Sequence, residues 1–398
     1  MTVVQIARAP VGAFTRWRAT RTPARRALSS GGLFLAVGTT ILLGVGLVMI
    51  LSASWVSAYI SSGSSFVFFA RQAVWVLIGL AAMMVTSHVD YRRWRALSYG
   101  LLALTIAGLV LVLIPGIGVR VGGSSRWLVL GPMRFQPSEM AKLALLLTGA
   151  DLCVRKGRRL RTYKDVLVPY GIIAGIVGAL VMAQPDLGTT IILGGITGAV
   201  LFVGGVRLRI LSGFGLTGLG AGAMLAMSAG YRRARIASFA DPFSDPLNAG
   251  YQAVQSQIAL GSGGLFGVGL GAGRQKWLYV PNAHTDFIFS IIGEEVGLIG
   301  TFGVIALFVL VAYAGVRIAQ RAPDAFGRIV AGGATAWIAG QAVINMGAVT
   351  GLMPITGVPL PLVSFGGSSL LFTLIAIGIL LNIARQEPPG PVPLDPRS

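Results

Sequence analysis

Ten nearly charge-free stretches, each close to the length that crosses a bilayer, recur along the 398-residue chain. They lie roughly at 33–51, 66–86, 97–114, 138–153, 166–183, 188–205, 210–229, 287–313, 329–350 and 368–384. A helix rises about 1.5 Å per residue, so about 20 apolar residues span the hydrocarbon core. Backbone N–H and C=O groups in lipid must be satisfied within the segment, which makes these stretches helices. The expectation is an all-α polytopic membrane protein with ten transmembrane helices. The weakest span is 138–153, because Glu139 and Lys142 open it.

Charged residues make up 11% of the chain, against about 25% in soluble domains. That excludes a soluble enzyme and a disordered chain. The net charge of +19 is scattered between apolar runs and not gathered on one face, which excludes a nucleic-acid module. An even number of spans puts both ends on one side. The segments on that side hold 22 basic residues and the opposite side holds 10, so both termini are expected in the cytoplasm.

The expected organisation is a basic cytoplasmic tail at 1–32, a ten-helix membrane domain at 33–384 and a Pro-rich cytoplasmic tail at 385–398. The first tail and span read as a retained signal-anchor. Two long extracytoplasmic loops are expected, 115–137 and, between helices 7 and 8, 230–286. Any chemistry then belongs at the outer face. Cys153 is the sole cysteine, which excludes an internal disulfide and a cysteine metal cluster. His88 and His284 are the two histidines, too few for a His-rich metal site.

Only 13 acids exist, so each can be weighed. Asp286 ends a polar loop where an apolar helix begins; it is either a helix cap or a general base facing the outer leaflet. Glu294 and Glu295 follow on the same helix, about 12 Å along it, too far to form a paired-carboxylate site with Asp286. They are either helix staples or catalytic. In Gln136–Lys142, Ser138 is a candidate cap, and Glu139 and Lys142 are positioned to pair at i,i+3. Arg126 and Trp127 upstream suit a phosphate-binding cation and an interfacial aromatic. Asp186, in the tight break Gln184–Gly188, reads mainly as a cap.

The glycine run Gly261–Gly273 is either a flexible loop or a backbone cradle for phosphate. Five cations flank it, Arg232, Arg233, Arg235, Arg274 and Lys276, on the side where basic residues are disfavoured; an anionic ligand such as a lipid pyrophosphate would explain them. The Pro- and Gly-rich segment 357–369 implies non-helical backbone at membrane depth.

Six of these segments in order resemble the SEDS family (shape, elongation, division and sporulation), and most closely its division branch. They are Gln136–Lys142, Gln184–Gly188, Asp241–Gln257, Gly261–Gly271, His284–Phe289 with Glu294–Gly297, and Pro354–Ser369. The resemblance implies a peptidoglycan glycosyltransferase that polymerises lipid II in septal wall synthesis and releases undecaprenyl pyrophosphate. It implies Asp286 as the essential aspartate and Glu139/Lys142 as a functional pair. Asn282 and Phe365 stand where the family often has Glu and Tyr, so neither of those groups can be required.

The expected reaction is a single inverting displacement, with Asp286 taking the proton of the acceptor sugar's 4-hydroxyl. Lys142, Arg126, Arg235 and Lys276 are the candidates to offset the leaving pyrophosphate, with a divalent cation such as magnesium a further candidate and its ligands unknown. Trp127, His284, Thr285, Ser364 and Ser368 complete the expected substrate cavity. The implied partner is a class B penicillin-binding transpeptidase, with other division proteins around it. A flippase for lipid-linked precursors and a non-catalytic division scaffold are the alternatives.

Overall fold

The computed structural model describes residues 28–388, apart from 122–123, 132, 158–162, 228–237, 249 and 278. Helices α1 (Ser30–Ser62), α2 (Val67–His88) and α3 (Tyr91–Leu113) lead into a small sheet of β1 (Gly118–Val121), β2 (Ser124–Leu130) and β3 (Met133–Phe135). There follow α4 (Pro137–Lys156), α5 (Tyr163–Ala183), α6 (Leu187–Val203), α7 (Leu208–Met227), the short α8 (Tyr251–Ser262), α9 (Ile288–Arg321), α10 (Ala325–Val349) and α11 (Gly367–Arg385). Among the described residues, α1, α2, α3, α9, α10 and α11 are long and apolar enough to cross a membrane, and Val168–Ala183 and Leu187–Val203 are shorter apolar helical stretches.

The bundle closes by pairing α11 with α2, α1 with α9, α9 with α10, and α6 with both α10 and α4. Helix α4 is the centre: every residue from Pro137 to Asp151 is buried. That explains its low apparent hydropathy. It meets protein and not lipid, so Glu139 and Lys142 are tolerated because they pair inside the bundle.

The helix starts follow capping chemistry. Ser29, Asp90, Asp186 and Asp324 each accept a backbone N–H of their own first turn. At α4 the expectation fails: Gln136 holds the cap position with Pro137 next to it, and Ser138 lies inside the helix. Pro at the first helical position removes one unpaired N–H, and Glu139 N donates to Gln136 O in place of a hydroxyl cap.

The expectation of an all-α chain with an open loop at 115–137 is corrected by the sheet. Its strands run antiparallel in the order β1-β2-β3, with Gly118 opposite Leu128 and Leu128 opposite Phe135. Strands of three to seven residues are too short for a search tuned to bilayer-length runs. The loop expected at 230–286 likewise contains α8, whose Ser256 Oγ lies 2.7 Å from Ser290 Oγ and donates to Val349 O at 2.8 Å.

Helix α9 is interrupted at Gly297, whose φ of 73° suits glycine. The glycine run is knitted into this break. Val268 N and Gly269 N donate to Glu294 O and Glu295 O, while Leu298 N and Ile299 N donate to Gly264 O and Leu265 O. The backbone groups freed by the break are satisfied from the loop, as apolar surroundings demand.

Candidate active site

A cavity of about 2060 Å³ opens at the sheet-bearing end of the bundle. Its polar part is lined by Arg71 of α2, Arg126 and Trp127 of β2, Arg134 of β3, Glu139 of α4, and Thr285 and Asp286 before α9. It continues between α5, α6 and α7, where Gly175, Gly178, Gly194, Gly198 and Gly218 leave it apolar and wide. One space therefore joins a charged mouth to a hydrocarbon-like channel.

Asp286 sits two residues ahead of α9, and Phe287 holds that helix's cap position. The carboxylate faces Gly357, where an added Cβ would lie 3.6 Å from Asp286 Oδ2. The segment carrying Asp286 is laced to the non-helical stretch 354–366. Phe365 N donates to His284 O at 2.9 Å, and Ser364 Oγ donates to Thr285 O at 2.6 Å. That stretch dips against α1, where Gly46 leaves room: a Cβ there would lie 2.8 Å from Leu362 O. Pro354, Pro359 and Pro361 carry no N–H to satisfy, and buried side-chain amides serve the carbonyls. Gln72 donates to Ser364 O, Gln341 to Pro359 O and Asn345 to Val358 O.

The residues expected from sequence divide into two groups. Asp286, Thr285, Glu139, Arg126 and Trp127 line the cavity. Lys142 is buried behind it, its Nζ 2.6 Å from Glu139 Oε2 and 3.0 Å from Gln341 Oε1. Ser364 and Ser368 are buried and make structural bonds, Ser368 Oγ accepting from Gln136 N and donating to Arg134 O. His284 is packed against Phe68 and Phe365, with ring centroids 4.7 and 5.5 Å away. Burial pushes its pKa down to about 4, so the imidazole is neutral at pH 7 and is not an acid in waiting.

Lys276 is a correction. It is fully buried, with Nζ 2.7 Å from Glu295 Oε1 and 3.2 Å from Ser52 Oγ, and it does not line the cavity. The phosphate cradle is corrected with it. N–H groups of the glycine run are taken by the chain's own oxygens: Gly271 N donates to the Glu295 carboxylate, and Gly267, Val268, Gly269 and Ala272 N donate to backbone carbonyls, while just beyond the run Arg274 N and Gln275 N donate to the Glu294 carboxylate. Glu294 and Glu295 are therefore the staples. Arg235, with Arg232 and Arg233, lies outside the described residues.

Arg126 is also engaged, donating to Gln184 O and Pro185 O, with Nη1 3.7 Å from Asp186 Oδ2. The guanidinium groups of two other cations of the cavity, Arg71 and Arg134, have no hydrogen-bond or ion-pair partner among the described residues. Sequence reasoning passed over both. The available signal for Arg71 was a lone cation inside an apolar run.

Among the described residues, no three His, Cys, Asp or Glu side chains converge as a metal-ligand set. Of the cavity's acids, Glu139 and Asp186 are paired with cations.

The profile of a family described as cell cycle protein, covering FtsW, RodA and SpoVE, matches residues 33–388. The chain is 45% identical to the probable peptidoglycan glycosyltransferase FtsW of Mycobacterium tuberculosis, over 91% of this chain and 69% of that one. It is 43% identical to stage V sporulation protein E of Bacillus subtilis, over 90% and 98%. A solved chain from work on the structural coordination of polymerization and crosslinking by a peptidoglycan synthase complex superposes with a TM-score of 0.73 at 31% identity, covering 90% of this chain and 98% of that one. The rod shape determining protein RodA of Thermus thermophilus superposes with a TM-score of 0.67 at 30% identity, covering 91% and 98%.

Proposed function

The chain belongs to the FtsW/RodA/SpoVE family of cell cycle proteins, and from that premise we propose a catalytic assignment for its cavity. It is a peptidoglycan glycosyltransferase of the multi-pass membrane type. The assigned substrate is lipid II, with undecaprenyl pyrophosphate as the leaving product. The observation that carries the assignment is the single cavity joining Asp286 and unpaired arginines to an apolar channel. Such a space suits a ligand with a sugar pyrophosphate head and a polyprenyl tail.

In this reading the Asp286 carboxylate takes the proton of the acceptor sugar's 4-hydroxyl. The freed oxygen attacks the anomeric carbon of the donor from the side opposite the pyrophosphate. The bond between that carbon and the phosphate oxygen breaks, and its electron pair leaves with the pyrophosphate. One carboxylate suffices, because pyrophosphate departs without a strong general acid; glycosidases, with poorer leaving groups, need two. Arg71 and Arg134 replace Lys276 as the cations facing the leaving group. Glu139 lines the cavity and Lys142 holds it from behind, while Arg126 fixes the sheet to the start of α6. A divalent cation such as magnesium, if bound, would supply further charge to offset the leaving pyrophosphate; among the described residues no three acid, His or Cys side chains converge to hold it.

The reading extends to topology and partner. Ten membrane crossings with both ends cytoplasmic put the sheet, α8 and Asp286 at the outer face, in keeping with the 22 to 10 division of basic residues. The proposed partner is a class B penicillin-binding transpeptidase, and the proposed site of action is the division septum. The test is polymerisation of purified lipid II by the full chain, alone and with candidate transpeptidases. Asp286→Asn is expected to remain folded and to lose polymerisation by at least about 100-fold. Glycan synthesis at the unaltered rate by that variant removes Asp286 as the base. Lipid II translocation in liposomes without any polymer makes the chain a transporter instead.

A further inference from the structure

We infer that Gln341 and Asn345, two buried amides one turn apart on α10, are positioning residues that hold Asp286 in register with the Glu139–Lys142 pair. This rests on the reading of Asp286 as the base. Both side chains are almost fully buried, at 1% and 2% exposure, and their four-residue spacing puts them on one face of the helix.

The amide orientations follow from chemistry. Asn345 Nδ2 lies 2.8 Å from both Asp286 O and Val358 O. Two carbonyl oxygens face it, so the NH₂ group must point there and spends one proton on each. Gln341 Oε1 lies 3.0 Å from Lys142 Nζ and 3.0 Å from Trp337 Nε1, and Gln341 Nε2 lies 2.9 Å from Pro359 O. Two donors face the oxygen and a carbonyl faces the nitrogen, which again leaves one orientation.

The bonds form a continuous path: Glu139 to Lys142, Lys142 to Gln341, Gln341 to Pro359 O, the adjoining Val358 O to Asn345, and Asn345 to Asp286 O. A purely structural duty would be to satisfy the re-entrant carbonyls Val358 O and Pro359 O. Besides the Trp337 N–H that Gln341 accepts, it leaves two bonds unaccounted for. Asn345 spends its second proton on the Asp286 carbonyl, outside the re-entrant stretch, and Gln341 accepts from Lys142, the partner of the cavity-lining Glu139. A small shift of α10 or of the re-entrant stretch therefore moves Asp286 relative to Glu139. A displacement of about 1 Å at a reacting group costs about 100-fold in rate.

The experiment uses the purified full chain and lipid II, with Asn345→Ala, the milder Asn345→Ser, Gln341→Leu and Asp286→Asn in parallel. Rates are expressed per folded molecule, judged by monodispersity and thermal midpoint. Expected for Asn345→Ala is a fall in kcat of about 10- to 100-fold, KM within about twofold of the parent and a displaced acid limb of the kcat–pH profile. Asn345→Ser, which keeps one donor, should recover part of the rate, and Gln341→Leu should fall in the same direction. Parental kcat and pH profile in folded Asn345→Ala overturn the inference. So does a loss explained entirely by the unfolded fraction. If Asp286→Asn polymerises normally, the base assignment itself fails; if it is inactive while Asn345→Ala matches the parent, only the positioning role fails.

Discussion

Lys276 Nζ lies 2.7 Å from Glu295 Oε1, and neither side chain has any exposed surface. The pair fastens the end of the glycine loop to the outer piece of α9, with Ser52 of α1 as a third member. Removing one partner of a buried pair strands the other charge, at a cost of about 3–5 kcal/mol. Lys276→Met is therefore expected to lower the thermal midpoint sharply, while Lys276→Met combined with Glu295→Leu recovers much of the loss. A single variant as stable as the parent would show that the pair contributes nothing.

The Arg71 and Arg134 guanidinium groups line the cavity without partners among the described residues, whereas that of Arg126 is held by Asp186 and two carbonyls. Arg71→Ala and Arg134→Ala should each reduce polymerisation by about tenfold or more with little change in stability, since no folded-state bond is lost. Arg71→Lys should recover only part, because an ammonium lacks the planar fork. Arg126→Ala should instead reduce stability. Parallel rate and melting measurements separate the three.

His284 gives a pH dependence of stability. Burial lowers its pKa from 6.5 to about 4. Between those values the unfolded chain binds a proton that the folded chain refuses, so this contribution to stability is present at neutral pH and is lost as pH falls through the window. The parent is expected to lose more thermal stability between pH 7 and pH 5 than His284→Phe does. Equal slopes in the two proteins would contradict the burial argument.

Gly297 has a φ of 73°, and a Cβ there would lie 2.6 Å from Leu265 O. Gly297→Ala should cost at least about 1–3 kcal/mol from backbone strain alone and should push the glycine loop off α9. Faster hydrogen exchange at Val268, Gly269, Leu298 and Ile299 is the expected signature. Unchanged protection at those four amides would show that the loop does not depend on the break.

Helix positions were legible because lipid leaves the backbone one solution, and hydropathy reports it directly. The place of Asp286 on the cavity wall was legible because acids are scarce and this one stands where a polar loop meets an apolar helix. Lys276 was misplaced for a physical reason: a cation's position along the chain says nothing of which carboxylate it meets, and Glu295 comes to it only through the folded glycine loop. The sheet was missed because its strands are shorter than any membrane-length window. Gln341 and Asn345 escaped because they are uncharged, and nothing in a sequence tells a buried amide bonded to the Asp286 segment from one facing solvent.

The interruption of α9 also resets which way the helix faces. From Ile288 to Glu295 every residue is buried, two glutamates included. Beyond Gly297, burial falls back to a stripe through Thr301, Val304, Phe308 and Val311, while Leu298, Ile299, Phe302 and Val309 look outward. One rod thus serves two solvents. Its first turns belong to a protein interior able to carry charge, and its remaining turns show hydrocarbon to hydrocarbon, so the acids of this helix are never presented to lipid.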